Sequence, residues 1–297
     1  MSISIKKIIA SAAAAAALLS LAACGQANAA GNSNASANGS NANVQVIDVA
    51  GVTGKKPYTY ADGNNYTGYD FELLKKIDDK LPQYEFKYTA LAQDALLTGL
   101  QSGKYRLGTC SFYGTEQRFQ TFDYSTNPTG LSDARLIIRS DETGINSLED
   151  LAKSGKKLAP IPTDDARYTL ISAYNEQHPD QQIKFDGATE KSATVADTLK
   201  AVGAGKYDAA IYPFTSFESI KGDLNLDLKT TDSIGLFPTV FLYNKGDKTK
   251  QLREDVDKVL QEFREDGTLS QLSQQWYGED VFKLNGADKV NSVIYWK

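Results

Sequence analysis

The chain has a single histidine, His178, and only two cysteines, Cys24 and Cys110, among 297 residues. Without a second histidine an HExxH zinc site is impossible. A Ser-His-Asp triad would have to use His178, which lies in the polar stretch Glu176-Gln177-His178-Pro179-Asp180 and reads as a solvated helix end. The commonest hydrolase chemistries are thereby nearly excluded. Two cysteines make no disulfide framework if the first has another role. Cationic residues are outnumbered, 32 Lys and Arg against 37 Asp and Glu, for a net charge of -5. No Lys/Arg stripe offsets this, so nucleic acid is not an expected partner. Beyond residue 21 no apolar run reaches membrane-spanning length, which argues against a channel, a permease or a transmembrane sensor. Hydrophobic residues at 41% and charged residues at 23% are near the globular average, and the length allows two lobes with real cores.

The first segment has a different composition. Lys6 and Lys7 precede an apolar run from Ile8 to Leu21, too short for a transmembrane helix and of the right size for a signal-peptide core. It ends in Leu21-Ala22-Ala23-Cys24-Gly25, which resembles the bacterial lipobox, so residues 1–23 are expected to be a lipoprotein signal peptide and Cys24 the lipidated residue. The alternative is an ordinary small-residue cleavage site with a chance cysteine. Gln26 to Asn43 is almost all Ala, Asn, Gly and Ser and cannot build a core. Residues 24–43 read as anchor plus tether, a coil spanning about 25 Å root-mean-square.

From Val44 onward strands and helices alternate. Val44 to Val49 alternates as a strand; Asp70 is expected to cap a helix carrying Phe71, Leu74, Ile77 and Leu81; Tyr84 to Tyr88 is a second strand. Asp94 is expected to cap a helix that Gly103 closes before a strand from Tyr105 to Cys110. Such βα units favour open sheets covered by helices. The run Leu100-Gln101-Ser102-Gly103-Lys104-Tyr105 is echoed by Ala201-Val202-Gly203-Ala204-Gly205-Lys206-Tyr207, and each leads through a strand to a segment expected to be a loop, Ser111 to Thr115 and Tyr212 to Ser216. Open α/β sheets bind ligands beyond the carboxyl ends of their strands, so two facing lobes would put both segments in one cleft. Arg135 to Arg139 and Thr239 to Asn244 read as strands crossing between the lobes. Leu252, Val256, Val259, Leu260 and Phe263 form the apolar face of a C-terminal helix, broken at Gly267.

Gly68-Tyr69-Asp70-Phe71-Glu72-Leu73, Leu100 to Tyr105, Thr115-Glu116-Gln117-Arg118, Asp266-Gly267-Thr268-Leu269 and Trp276-Tyr277-Gly278 occur in that order. Together they resemble family 3 of the bacterial extracellular solute-binding proteins from about Val44 to Val281. Gly68 to Pro82 with Tyr84-Glu85-Phe86 looks closest to the L-cystine-binding lipoproteins of that family. The resemblance implies a two-lobed α/β fold of the type II periplasmic-binding-protein kind, each lobe an open sheet flanked by helices, joined by a hinge of two crossings. Lobe I would be 44–131 plus 237–297, and lobe II 132–236. It implies a monomeric receptor that closes on an amino acid, with no cofactor, and docks on the permease of an ABC importer at the outer membrane surface.

The resemblance also assigns residues. Arg118 corresponds to the arginine that clamps the ligand carboxylate, and a guanidinium fork suits that task; the plainer reading is a surface ion pair with Glu116 or a nearby acid. Ser111, Phe112 and Tyr113 fall where relatives offer backbone carbonyls and a hydroxyl to the ligand ammonium, although Ser111 could simply finish its strand. Gln93 stands where many relatives stack an aromatic. Thr163 and Asp164 precede a helix beginning near Asp165, whose free N–H groups suit a carboxylate, or they are merely its cap. Many relatives carry an acid for the ligand ammonium where this chain has Pro213, so Asp164, Asp165 or a carbonyl near Tyr113 would have to substitute. Tyr212 lines the cleft or packs in a core.

Other signals are decoys. Gly51-Val52-Thr53-Gly54-Lys55-Lys56 lacks the spacing and the Ser or Thr of a phosphate loop. Cys110 reads as a core residue, and Asp78-Asp79 as a solvated face beside lysines. The rival readings are a same-fold dehydratase acting on arogenate or prephenate and a ligand-sensing surface lipoprotein.

Overall fold

The computed structural model describes residues 44–63, 65–163, 165–188 and 194–290, so the expectations for the signal peptide, Cys24, the tether and Asp164 lie outside the described residues. β1 (Gln45–Val52) alternates as its sequence requires. Ile47 and Val49 point to one face and Ala50 and Val52 to the other, the two-residue period of a pleated strand covered on both sides. A small hairpin, β2 (Tyr60–Asp62) and β3 (Asn65–Thr67), leads into α1 (Tyr69–Lys80). Then come β4 (Tyr84–Leu91), α2 (Gln93–Gln101), β5 (Leu107–Tyr113), the short α3 (Glu116–Thr121) and β6 (Asp123–Tyr124).

β7 (Gly130–Arg139) begins the second half, followed by α4 (Leu148–Ser154), β8 (Ile161–Pro162), α5 (Ala166–Gln177) and β9 (Gly187–Ala188). After α6 (Val195–Gly203), β10 (Ala209–Pro213) and α7 (Phe214–Leu224), the 16-residue β11 (Leu228–Tyr243) returns the chain to the first half. α8 (Lys250–Glu265) and α9 (Thr268–Tyr277) follow, then two short 3-10 turns at Val281–Lys283 and Ala287–Lys289.

The open sheets of the two halves join into one seven-stranded sheet, in the order β10-β7-β11-β5-β1-β4, with β6 also on β11. β1 is parallel to both β4 and β5, and the remaining pairings along the path are antiparallel. Four clusters cover its faces. Ile47 and Val49 pack with Leu73, Leu74 and Ile77 of α1 and the stripe of α8, while Ala50 and Val52 pack under Leu96 and Leu100 of α2. In the second half Ala134, Leu136 and Ile138 pack against α4 and α5, and Ile137 against α6 and α7. β7 changes core between Leu131 and Ala134, and β11 does so at Leu236 and Phe237, where Phe237 pairs with Ser132.

Several local expectations are revised. Gly68 caps α1, and Asp70 lies inside its first turn. Ala92 precedes α2, so Asp94 is a first-turn acid whose charge suits the helix N-terminus. Ser111 to Tyr113 continue β5, and α7 starts directly after Pro213, so neither expected loop exists at its predicted length. Asp78 is not merely solvated: it accepts from the Phe86 amide at 3.2 Å, tying α1 to β4. His178 is the exposed C-cap of α5, as its context suggested. No helix among the described residues is long and apolar enough to cross a membrane.

Candidate ligand-binding site

The strand order β4-β1-β5 places a topological switch beside β5, and ligands of open α/β sheets sit beyond the carboxyl ends of strands there. At that end Ser111 adopts φ 45°, a left-handed conformation unusual for a side-chain-bearing residue. Asp70 holds it. The carboxylate is fully buried and accepts from both the Ser111 amide and the Ser111 Oγ, the latter at 2.9 Å. Asp70 can reach that far because α1 starts hard against the preceding turn. Gly68 has φ 110°, and a Cβ there would lie 2.3 Å from the Tyr58 carbonyl oxygen, so only glycine fits. Burial pushes the Asp70 carboxyl up to about 6, against the lowering effect of its hydrogen bonds from Ser111. Burial, reinforced by the Asp70 charge, pushes the neighbouring Cys110 thiol up to about 12, leaving it protonated and unreactive.

The ring of Phe112 turns into the core beneath α2, so that side chain serves the site only by carrying the Arg118 guanidinium 5.5 Å from its ring centre. The Tyr113 ring stacks on Phe237 with centroids 5.1 Å apart, and its hydroxyl lies 3.0 Å from the Ser132 Oγ. Both contacts reach the strand pair on which the cores change over. Arg118 is set on α3, whose cap Thr115 accepts from the Arg118 amide; its Nη1 donates to the Tyr113 carbonyl at 2.8 Å. Gln93, at the head of α2, is partly exposed beyond the carboxyl end of β4, two strands away from Ser111 in the sheet.

The second half contributes β8, the start of α5 and the end of β10. Thr163 is exposed just after β8, its methyl group beside Gly187. Asp165 caps α5, accepting from the Arg167 amide at 2.9 Å. It also takes Nε and Nη2 of Arg167 at 2.8 and 2.7 Å, a two-pronged ion pair. Arg167 Nη1 donates to the Ile211 carbonyl at 2.7 Å, and the guanidinium lies 4.5 Å from the centre of the Tyr212 ring, whose hydroxyl donates to Thr198 Oγ1. Burial alone would raise the Asp165 carboxyl; the hydrogen bonds and charge of Arg167, and then the charge of Arg118 from the other half, hold it below its usual value. Asp165 is thus already committed to Arg167 and is not an open partner for a ligand ammonium.

Side-chain contacts among the described residues tie the halves together, two of them short. The Tyr58 hydroxyl meets Thr215 Oγ1 at 2.5 Å, and Arg135 Nη2 donates to Glu279 Oε2 at 2.9 Å. The structure brings Ser111, Tyr113 and Arg118 together at the end of β5, whereas Tyr212 packs against the core under α6 and α7 with Arg167 over its ring; the sequence did not single out Tyr58 or Arg167. Asp70 read as a cap, and Asp165-x-Arg167 looks like any exposed pair until Ile211 and Tyr212 are placed beside it. No group of three or more His, Cys, Asp or Glu residues among the described residues could hold a metal ion.

Residues 47–279 match the family model of the bacterial extracellular solute-binding proteins, family 3. YxeM of Bacillus subtilis strain 168, a "Probable amino-acid-binding protein", is 30% identical over 270 residues, 89% of this chain and 92% of its own. The L-cystine-binding protein TcyJ of the same organism is 30% identical over 219 residues, 73% of this chain and 78% of its own. Among solved structures, the probable amino-acid ABC transporter extracellular-binding protein ytmK from Bacillus subtilis superposes with a TM-score of 0.67 at 26% identity, covering 80% of this chain and 99% of that one. With the two-core α/β architecture and the site at the carboxyl end of β5, this match establishes that the chain belongs to the bacterial extracellular solute-binding proteins, family 3.

Proposed function

We propose that this protein is the extracytoplasmic substrate-binding component of an amino-acid ABC importer, with a polar or sulfur-containing amino acid such as cystine as its ligand, and that it is not an enzyme. The observation that carries this reading is Arg118: its guanidinium sits at the carboxyl end of β5, anchored by the Tyr113 carbonyl, and its charge reaches Asp165 on the other half. A fixed guanidinium there suits an α-carboxylate. Lobe I is assigned to 44–131 plus 237–297 and lobe II to 132–236, with bending at the adjacent strands near Ser132 and Phe237. The ligand touches both lobes, so binding shifts the population toward the closed form, which docks on the permease. Cys24 is assigned the lipid that keeps the receptor at the outer membrane surface.

Calorimetric titration of the purified chain with the common amino acids and L-cystine tests this reading. A saturable heat with at least one of them is expected, and Arg118→Ala should weaken it by about 100-fold or more, the cost of removing one partner of a partly buried charged hydrogen bond. Unchanged affinity in Arg118→Ala removes Arg118 from the site. Turnover of arogenate or prephenate without amino-acid binding would install the dehydratase reading instead.

A further inference from the structure

Arg167 is held on three sides. Its Nε and Nη2 engage the two Asp165 oxygens, its Nη1 engages the Ile211 carbonyl, and its face lies over Tyr212. The side chain is only 11% exposed. A guanidinium carries five N–H donors, and these contacts use three. One N–H on each of Nη1 and Nη2 remains, two donors on a rigid planar group that a single carboxylate can accept from. Its charge bears on Tyr113 of the other half, and the Tyr113 carbonyl anchors Arg118. Closure of the lobes would strip water from these two donors, and an unsatisfied buried donor is costly. A ligand carboxylate would supply the acceptor.

We propose that Arg167 is a second carboxylate anchor, positioned by Asp165, Ile211 and Tyr212, so that the ligand is an amino acid bearing two carboxylates, one end on Arg118 and the other on Arg167. This rests on the receptor reading above and sharpens it. A compound made of two amino-acid ends joined through sulfur meets the requirement, whereas an amino acid with one carboxylate leaves the Arg167 fork empty. Asp165 gives the guanidinium its orientation and offsets its burial; the ligand contact belongs to Arg167.

The test compares two ligands of the same skeleton by calorimetric titration of the purified chain. L-cystine carries both carboxylates, and the mixed disulfide of cysteine with cysteamine lacks one. The wild-type chain is expected to prefer cystine by about 100-fold or more, since a site built to bond a charged group rejects the analogue lacking it. Replacing the pair by neutral amides, Asp165→Asn with Arg167→Gln, should shrink that preference to less than about 5-fold. A wild-type preference near one overturns the proposal without any variant, so a poorly folding double variant does not shield it. A preference that survives the double variant overturns it too, because a merely structural pair would weaken both ligands alike. If the mixed disulfide or a one-carboxylate amino acid binds as tightly as cystine, the receptor reading stands and only the second anchor fails. If no amino acid binds, both fail.

Discussion

Substituting Asp70 by Asn tests whether the carboxylate under the site burdens the fold at neutral pH. Asp70 is fully buried, and burial lifts its carboxyl from 3.8 to about 6. Two units at 1.36 kcal/mol each correspond to about 3 kcal/mol. Between pH 4 and 6 the folded state keeps a proton that the unfolded chain has lost, so stability falls as pH rises through that window. Above pH 6 the full cost is present; below pH 4 it is absent. Asparagine fits the same place, with its carbonyl oxygen accepting from the Ser111 amide and its NH2 donating to Ser111 Oγ, and it does not titrate. Urea unfolding followed by circular dichroism at pH 4 to 8 should show Asp70→Asn gaining about 3 kcal/mol on the wild type across the range. In melting temperature this is roughly 6–12 °C for a chain of this size. Other acids, the buried Asp133 and the partly buried Asp257 and Glu279 among them, also have raised values, and the difference between the two curves cancels them. Parallel curves for the two proteins would refute the assignment of a costly buried carboxylate.

The contacts between the halves and the N-terminal anchor are testable in the same way. Tyr58→Phe combined with Glu279→Gln removes the bond to Thr215 and weakens the pair with Arg135. Ligand affinity should fall about 10-fold and the solution radius of gyration rise, as expected when the closed population loses one or two hydrogen bonds; unchanged affinity and scattering would show that these contacts do not report closure. Cys24→Ser should move the chain from the detergent phase to the aqueous phase on fractionation, and a variant that stays with the membrane would rule out that cysteine as the anchor.

The amino-acid sequence by itself determined the elements whose order and burial follow from short-range pattern. The α8 stripe of Leu252, Val256, Val259, Leu260 and Phe263 is buried throughout because helical spacing puts those residues on one face whatever the fold. Gly267 breaks the helix as expected, with φ 83°. Ordered motifs from Gly68 to Gly278 carried the family, and Arg118 stood out within them. β11 was legible only from Thr239 onward, since its earlier half passes through polar Thr230, Asp232 and Ser233 with two register shifts that erase alternation. The tertiary structure alone decided what depends on distant partners. Asp70 became the support of Ser111 because a glycine-only turn drives α1 against the end of β5, 41 residues later. Arg167 became a fixed fork because Ile211 and Tyr212, more than forty residues away, close over it. Periodicity constrains which way a side chain points; what it meets there is set by how distant segments of chain pack, which no local pattern encodes.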